Sequence, residues 1–154
     1  MWKFIAPFLV SMVPVLELRG GILLGMGMGL DQLTAVIVCV VGNILPVPLI
    51  YLFARKVLTY GSDKKFFGPA CRFFLQKGER AGQKLTEKTG RFGFFAALAL
   101  FVGIPLPGTG AWTGTMAASF LNVGIKSTIL SVVVGVIMAG VIVAIFGTAV
   151  FSIF

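Results

Sequence analysis

Glu17 and Arg19 are the only charges in the first thirty residues apart from Lys3, and both sit inside apolar sequence. A charge placed alone at the centre of a bilayer costs about 2.5–3.5 kcal/mol on insertion scales, so such residues usually serve a function. The residue types permit two readings. Glu17 can carry a proton or a cation while Arg19 holds an anion or pairs with the carboxylate. Alternatively, the two form an internal salt bridge that only holds the chain's shape. Two residues apart, they point to different sides of a helix, so a direct pair requires a bend, which Gly20 and Gly21 would allow.

The second chemistry-bearing stretch is Pro105-Leu106-Pro107-Gly108-Thr109-Gly110-Ala111-Trp112-Thr113-Gly114. Pro and Gly at this density cannot continue a helix, so backbone N–H and C=O groups are freed. Hydroxyls from Thr109 and Thr113 and the Trp112 indole stand beside them. Freed carbonyls and broken helix ends are how small transporters hold ions and substrates. The plainer reading has Thr109 and Thr113 cap the broken backbone and Trp112 anchor at an interface. Asn43, after Gly42 and before Pro46, is placed to hydrogen-bond the broken segments across a bundle. Candidate binding residues are therefore Glu17, Arg19, Gly20, Gly21, Asn43, Pro107, Gly108, Thr109, Gly110, Trp112, Thr113 and Gly114.

The elements that must position them are membrane helices. Of 154 residues, 58% are hydrophobic and only 12% charged, with a mean hydropathy of +1.03. A soluble domain carries roughly 25% charged residues. Residues 32–54 and 125–154 read as transmembrane helices, the first interrupted by Pro46 and Pro48. Residues 4–16 and 20–30 are too short to cross alone, as are 92–104 and the piece ending near Ile125. Each short pair, joined by an irregular polar turn, reads as a re-entrant hairpin (1–31 and 92–124). Residues 55–91 hold ten of the thirteen basic residues, which places this segment on the cytoplasmic side. Within it, Phe67, Cys71, Phe74, Gly78, Ala81 and Leu85 recur at helical steps, the pattern of an amphipathic surface helix.

The halves resemble each other at an offset of 93. Pro14 pairs with Pro107, Gly21 with Gly114 and Gly42 with Gly135. With one spanning helix per half, the second unit is inverted relative to the first, the architecture of transporters with a midplane site. Four ordinary spans form the rival topology. The fold class expected is thus an all-α integral membrane domain, 1–154: an inverted repeat of re-entrant hairpin plus transmembrane helix around a cytoplasmic amphipathic segment.

Several classes are excluded. With no His, two Cys and no phosphate loop or nucleophile motif, the sequence predicts no enzyme, metal or cofactor. The net charge of +8 lies mainly in one juxtamembrane segment rather than on a soluble face, so nucleic acid is not expected. Pro7, Pro14 and Glu17 interrupt the N-terminal apolar run, which is read as retained rather than as a signal peptide.

Glu17-Leu18-Arg19-Gly20-Gly21-Ile22, Gly42-Asn43 with Pro46, and Pro105 to Gly114 together resemble the small multidrug export protein family over nearly the whole chain. Leu23 stands where that family usually has Pro. The resemblance implies a distant relationship to the DedA/VTT membrane proteins, with paired re-entrant hairpins and ion-coupled or lipid-carrier transport. It also implies that Glu17, Arg19 and the 105–114 turn are the functional positions. The reading that follows is an inner-membrane transporter, proton- or ion-coupled, contacting membrane lipid. Its substrate is a small molecule, an ion or a lipid phosphate, and a homodimer or higher oligomer is expected. The alternatives are a flippase for polyprenyl phosphate or another anionic lipid, and a non-transporting scaffold.

Overall fold

A computed structural model describes residues 1–63, 68–106 and 109–151, and within α5 and the end of α7 the side chains of only some residues. Its elements are α1 (Trp2–Ser11), α2 (Glu17–Gly27), α3 (Gln32–Ile44), α4 (Val47–Ser62), α5 (Gly68–Gly103), α6 (Ala111–Phe120) and α7 (Ile125–Phe151). No strand occurs among the described residues.

Two stretches are long and apolar enough to cross a membrane, Gln32–Ser62 and Ile125–Phe146. The first is α3 plus α4, broken at Leu45-Pro46 as the prolines require, because Pro46 has no N–H for the helix ladder. The helix runs on to Ser62, past the Ala54 boundary read from hydropathy, because Arg55 and Lys56 are good helix formers and no Pro interrupts the stretch beyond Ala54. Asp31 starts α3 as an N-cap, accepting the Thr34 N–H at 2.9 Å. That backbone donor holds the Asp31 carboxyl below the usual carboxylate range.

The short helices α1, α2 and α6, at 10, 11 and 10 residues, are each about 15 Å long, half a bilayer core. α5 is two helices merged across a kink at Gly90, φ +68°, which separates the basic part from the apolar arm. Of the proposed amphipathic face, Cys71 is half-buried. Phe67 and the side chains of Phe74, Gly78, Ala81 and Leu85 lie outside the described residues.

α1, α2 and α3 pack on one another, and so do α5, α6 and α7. The two spans run antiparallel: the Gln32 amide at the start of α3 reaches Ala144 O near the end of α7. At the opposite end, the Tyr51 hydroxyl on α4 donates to Val123 O just before α7. Leu18, Ile22 and Cys39 from the first half meet Val102, Val132 and Val136 from the second in one buried core.

The offset of 93 reappears in the backbone. Leu30 N–H bonds Gly25 O and Gly29 N–H bonds Met26 O; Val123 N–H bonds Ala118 O and Asn122 N–H bonds Ser119 O. Gly29 (φ +80°) and Asn122 (φ +56°) hold the left-handed position of these two helix ends. This is the reversed turn that satisfies terminal carbonyls, and it normally calls for Gly or Asn. Gly42 and Gly135 play matching parts as well. A Cβ on Gly42 would lie 2.6 Å from Phe8 O, and one on Gly135 would lie 2.7 Å from Ala99 O. Each span therefore touches the backbone of its own hairpin arm. Gly135→Ala is expected to destabilise by about 1–3 kcal/mol through overpacking, seen as a lower thermal midpoint in detergent.

Candidate functional site

The breaks in the two hairpins meet. α6 begins without an acidic residue in its first turn and without a side-chain cap of its own. Its exposed N–H groups must find partners elsewhere. They find Glu17, 95 positions away: Trp112 N–H donates to Glu17 Oε1 at 3.2 Å. Glu17 is only 7% exposed, and a buried carboxylate is tolerated when such donors and a helix N-terminus face it.

Backbone geometry at both ends of this contact is special. Glu17 has φ +48° and Gly110 φ +156°, and the two positions are again 93 apart. A side chain at Gly110 would collide with the Glu17 carboxylate. At Glu17, a residue with a Cβ, such a conformation persists only where its surroundings over-determine it.

Arg19 reaches the other way along the same seam. Its Nη1 donates to Leu106 O at 2.6 Å, and its Nη2 donates to Thr109 O at 2.8 Å. Ile104 O, at 3.4 Å, and Thr109 Oγ1, at 3.1 Å, are further acceptors. A planar guanidinium with several donors suits a cluster of freed carbonyls better than an ammonium does. Thr109 Oγ1 lies 2.7 Å from Ile104 O and accepts the Leu106 N–H at 3.2 Å, closing the turn. Trp112 Nε1 donates to Met12 O at 3.0 Å, tying the second hairpin to the break in the first.

Of the candidates, Glu17, Arg19, Thr109, Gly110 and Trp112 therefore come together. Pro107 and Gly108 lie outside the described residues. Thr113 is exposed. Gly20 and Gly21 do not bend the chain between Glu17 and Arg19. Both are inside α2, and the turn comes earlier, at Met12–Leu16. Gly21 instead lets α2 approach α1 and α3, since a Cβ there would lie 2.9 Å from Pro7 O and 2.8 Å from Cys39 Sγ. Gly114 similarly brings α6 against Val102 of α5. Trp112 is a tip-to-tip donor rather than only an interface anchor.

Asn43 lies inside the bundle. It is 2% exposed and its Oδ1 has no hydrogen-bond partner, a state it shares with the fully buried Thr115 hydroxyl. Its place on α3 buries it inside the bundle. An unpaired buried group of this kind destabilises by about 1–3 kcal/mol. Thr115→Val, which removes the hydroxyl at nearly constant volume, is expected to stabilise the fold by about 1 kcal/mol, read as a raised unfolding midpoint.

Sequence reasoning missed the carbonyls of Met12, Ile104 and Leu106, which do their work through backbone atoms. It also missed the pins at the other end of α6, where Arg55 donates to the Asn122 side chain and Tyr51 to Val123 O. Nothing in the local pattern around Tyr51 signals that contact.

No group of three or more potential metal ligands occurs among the described residues. No curated protein and no solved structure matches the chain. A family model described as "Putative small multi-drug export protein" matches residues 17–142; this is a family of exporters rather than of enzymes. The match begins at Glu17 and takes in Arg19, Asn43 and the whole 105–114 turn, so with the two apolar spans it makes the chain a membrane protein belonging to that small multi-drug export family.

Proposed function

We propose that the chain is a small ion-coupled exporter whose two half-length hairpins are re-entrant and related by inversion. One observation carries this reading: the N-termini of α2 and α6 converge on the same junction, with Glu17 bridging them. Converging N-terminal ends of broken helices make an anion-favouring site at membrane depth. In the arrangement described, Glu17 occupies that site itself, so the junction is closed. A proton or cation that neutralises Glu17 weakens its hold on the α6 N–H groups, and the hairpins can separate. Arg19 and the freed amides of the α6 N-terminus then face the cavity. The antiparallel spans and the recurrence of the same helix ends at an offset of 93 support the inversion. The basic segment 55–91 on the cytoplasmic side of an inner membrane, with both termini outside, completes the topology. Pairing of protomers covers the surface that two spans leave exposed.

In proteoliposomes, Glu17→Gln is expected to slow pH-gradient-driven efflux of an anionic dye by about tenfold, a barrier change of about 1.4 kcal/mol. Unchanged flux across pH, with a lowered melting midpoint, would show a scaffold instead. Impermeant maleimide applied to intact cells, on a chain with Cys39 and Cys71 replaced and one Cys added at either terminus, is expected to label both. Protected termini would mean four conventional spans.

A further inference from the structure

Two cavities flank the turn between α6 and α7, one of mixed lining and one almost wholly apolar. One, about 480 Å³, carries the polar groups of the pair, Arg91, Lys126, Asn122 and Glu79 among them, although Phe94 and Leu121 also form its wall. The other, about 610 Å³, is an open groove between α4 and α6 walled by Leu49, Phe53, Val57, Trp112, Met116 and Phe120, all apolar apart from the indole N–H of Trp112. That N–H is turned to Met12 O. Phe120 ends the groove, and Leu121 and Asn122 begin the polar cavity. Arg55, whose neighbours Ala54 and Val57 line the groove, bonds Asn122. Both volumes fall in the range of small-molecule sites, about 300–1,000 Å³.

We propose that this pair of cavities is a binding site for one anionic phospholipid, its headgroup phosphate in the polar cavity and an acyl chain in the α4–α6 groove. The groove lies against a membrane span, so hydrocarbon rather than water is what covers it. The headgroup end carries Arg91 and Lys126, with Arg55 adjacent, against the single carboxylate of Glu79. That balance favours a phosphodiester of net negative charge over a zwitterion. The placement also fits the leaflet: the polar cavity sits where the basic helix returns to the membrane at Gly90-Arg91. Because the groove ends at Trp112, the bound chain touches the residue whose N–H groups tie both hairpin breaks. The lipid thus bears on the junction whatever the exporter carries. The inference rests on the membrane placement of α4 and α6 in that reading, but not on ion coupling.

Trp112 makes the site observable. In a Trp2→Phe background it is the sole tryptophan. Its fluorescence is measured in phosphatidylcholine vesicles containing increasing fractions of chain-brominated phosphatidylglycerol or chain-brominated phosphatidylcholine. Half-maximal quenching is expected at a phosphatidylglycerol fraction about tenfold below that for brominated phosphatidylcholine, the selectivity that two cations near the surface can supply. Arg91→Gln with Lys126→Gln, both exposed, is expected to bring the two curves together. Coincident curves in the Trp2→Phe protein, which need no cavity variant to fold, would overturn the proposal. So would loss of the selectivity when inorganic phosphate is added, which would make the cavity a site for a small anion. Dye efflux measured on the same vesicles reports the export reading separately.

Discussion

Gly110→Ala is expected to destabilise the protein by about 3–5 kcal/mol. Two effects add. At φ +156° and ψ −176° the backbone lies in a region open almost only to glycine, and forcing another residue there costs about 1–3 kcal/mol. The new methyl group also falls on the Glu17 carboxylate. Displacing that group breaks its charge-assisted bond to the α6 N-terminus, worth about 1.5–3 kcal/mol, and leaves a buried charge without its donor. Thermal unfolding followed by far-ultraviolet dichroism in detergent checks the value. Gly27→Ala is the control: a Cβ there meets nothing within 4 Å, and it is expected to be neutral or slightly stabilising. Repeating Gly110→Ala in a Glu17→Ala background separates the effects. Its penalty is expected to shrink by about 2 kcal/mol, the part due to collision, leaving the part due to φ.

Arg19→Leu is expected to cost about 3 kcal/mol and to abolish export. The guanidinium draws Ile104, Leu106 and Thr109 onto one side chain of the other half, and the closed turn depends on it. Leucine leaves three carbonyls without their charged donor, and hydrogen bonds to charged groups are worth about 1.5–3 kcal/mol each. Arg19→Lys keeps the charge but has no rigid fork to serve separated acceptors. It is expected to recover about half the lost stability, while export stays at least tenfold down. Recovery of both in parallel would mean that Arg19 supplies charge alone.

Much of this arrangement could be read from residue types. Apolar runs and prolines marked the spans and the break at Pro46, because helix length against bilayer thickness and the missing proline N–H are local rules. Glu17 and Arg19 stood out because charge is scarce there. What the pattern could not show was the partner of each. Glu17 meets a helix end 95 positions away, and Arg19 meets carbonyls 85 to 90 positions away. Main-chain acceptors carry no residue signature. The bend was assigned to Gly20-Gly21 because glycine permits bending. In α2 those glycines permit close packing instead, and the unusual dihedral fell on Glu17 itself. A clue was present in the N-terminus of α6. A helix starting Gly-Ala-Trp has no cap of its own, so an end with unmet N–H donors in an apolar chain called for a carboxylate acceptor from elsewhere.

Although the halves share so many positions, their long rods differ in stiffness. Pro46 divides the first into α3 and α4, whereas its counterpart 93 residues on, Ala139, lies within unbroken α7. The first rod is jointed and the second is a strut. A load applied at the shared junction is therefore relieved on one side only: α4 can swing about Leu45-Pro46 while α7 holds still. Amide exchange around residues 44–50 is expected to run faster than around 137–143. Two units that look interchangeable in outline would then move as lever and fulcrum.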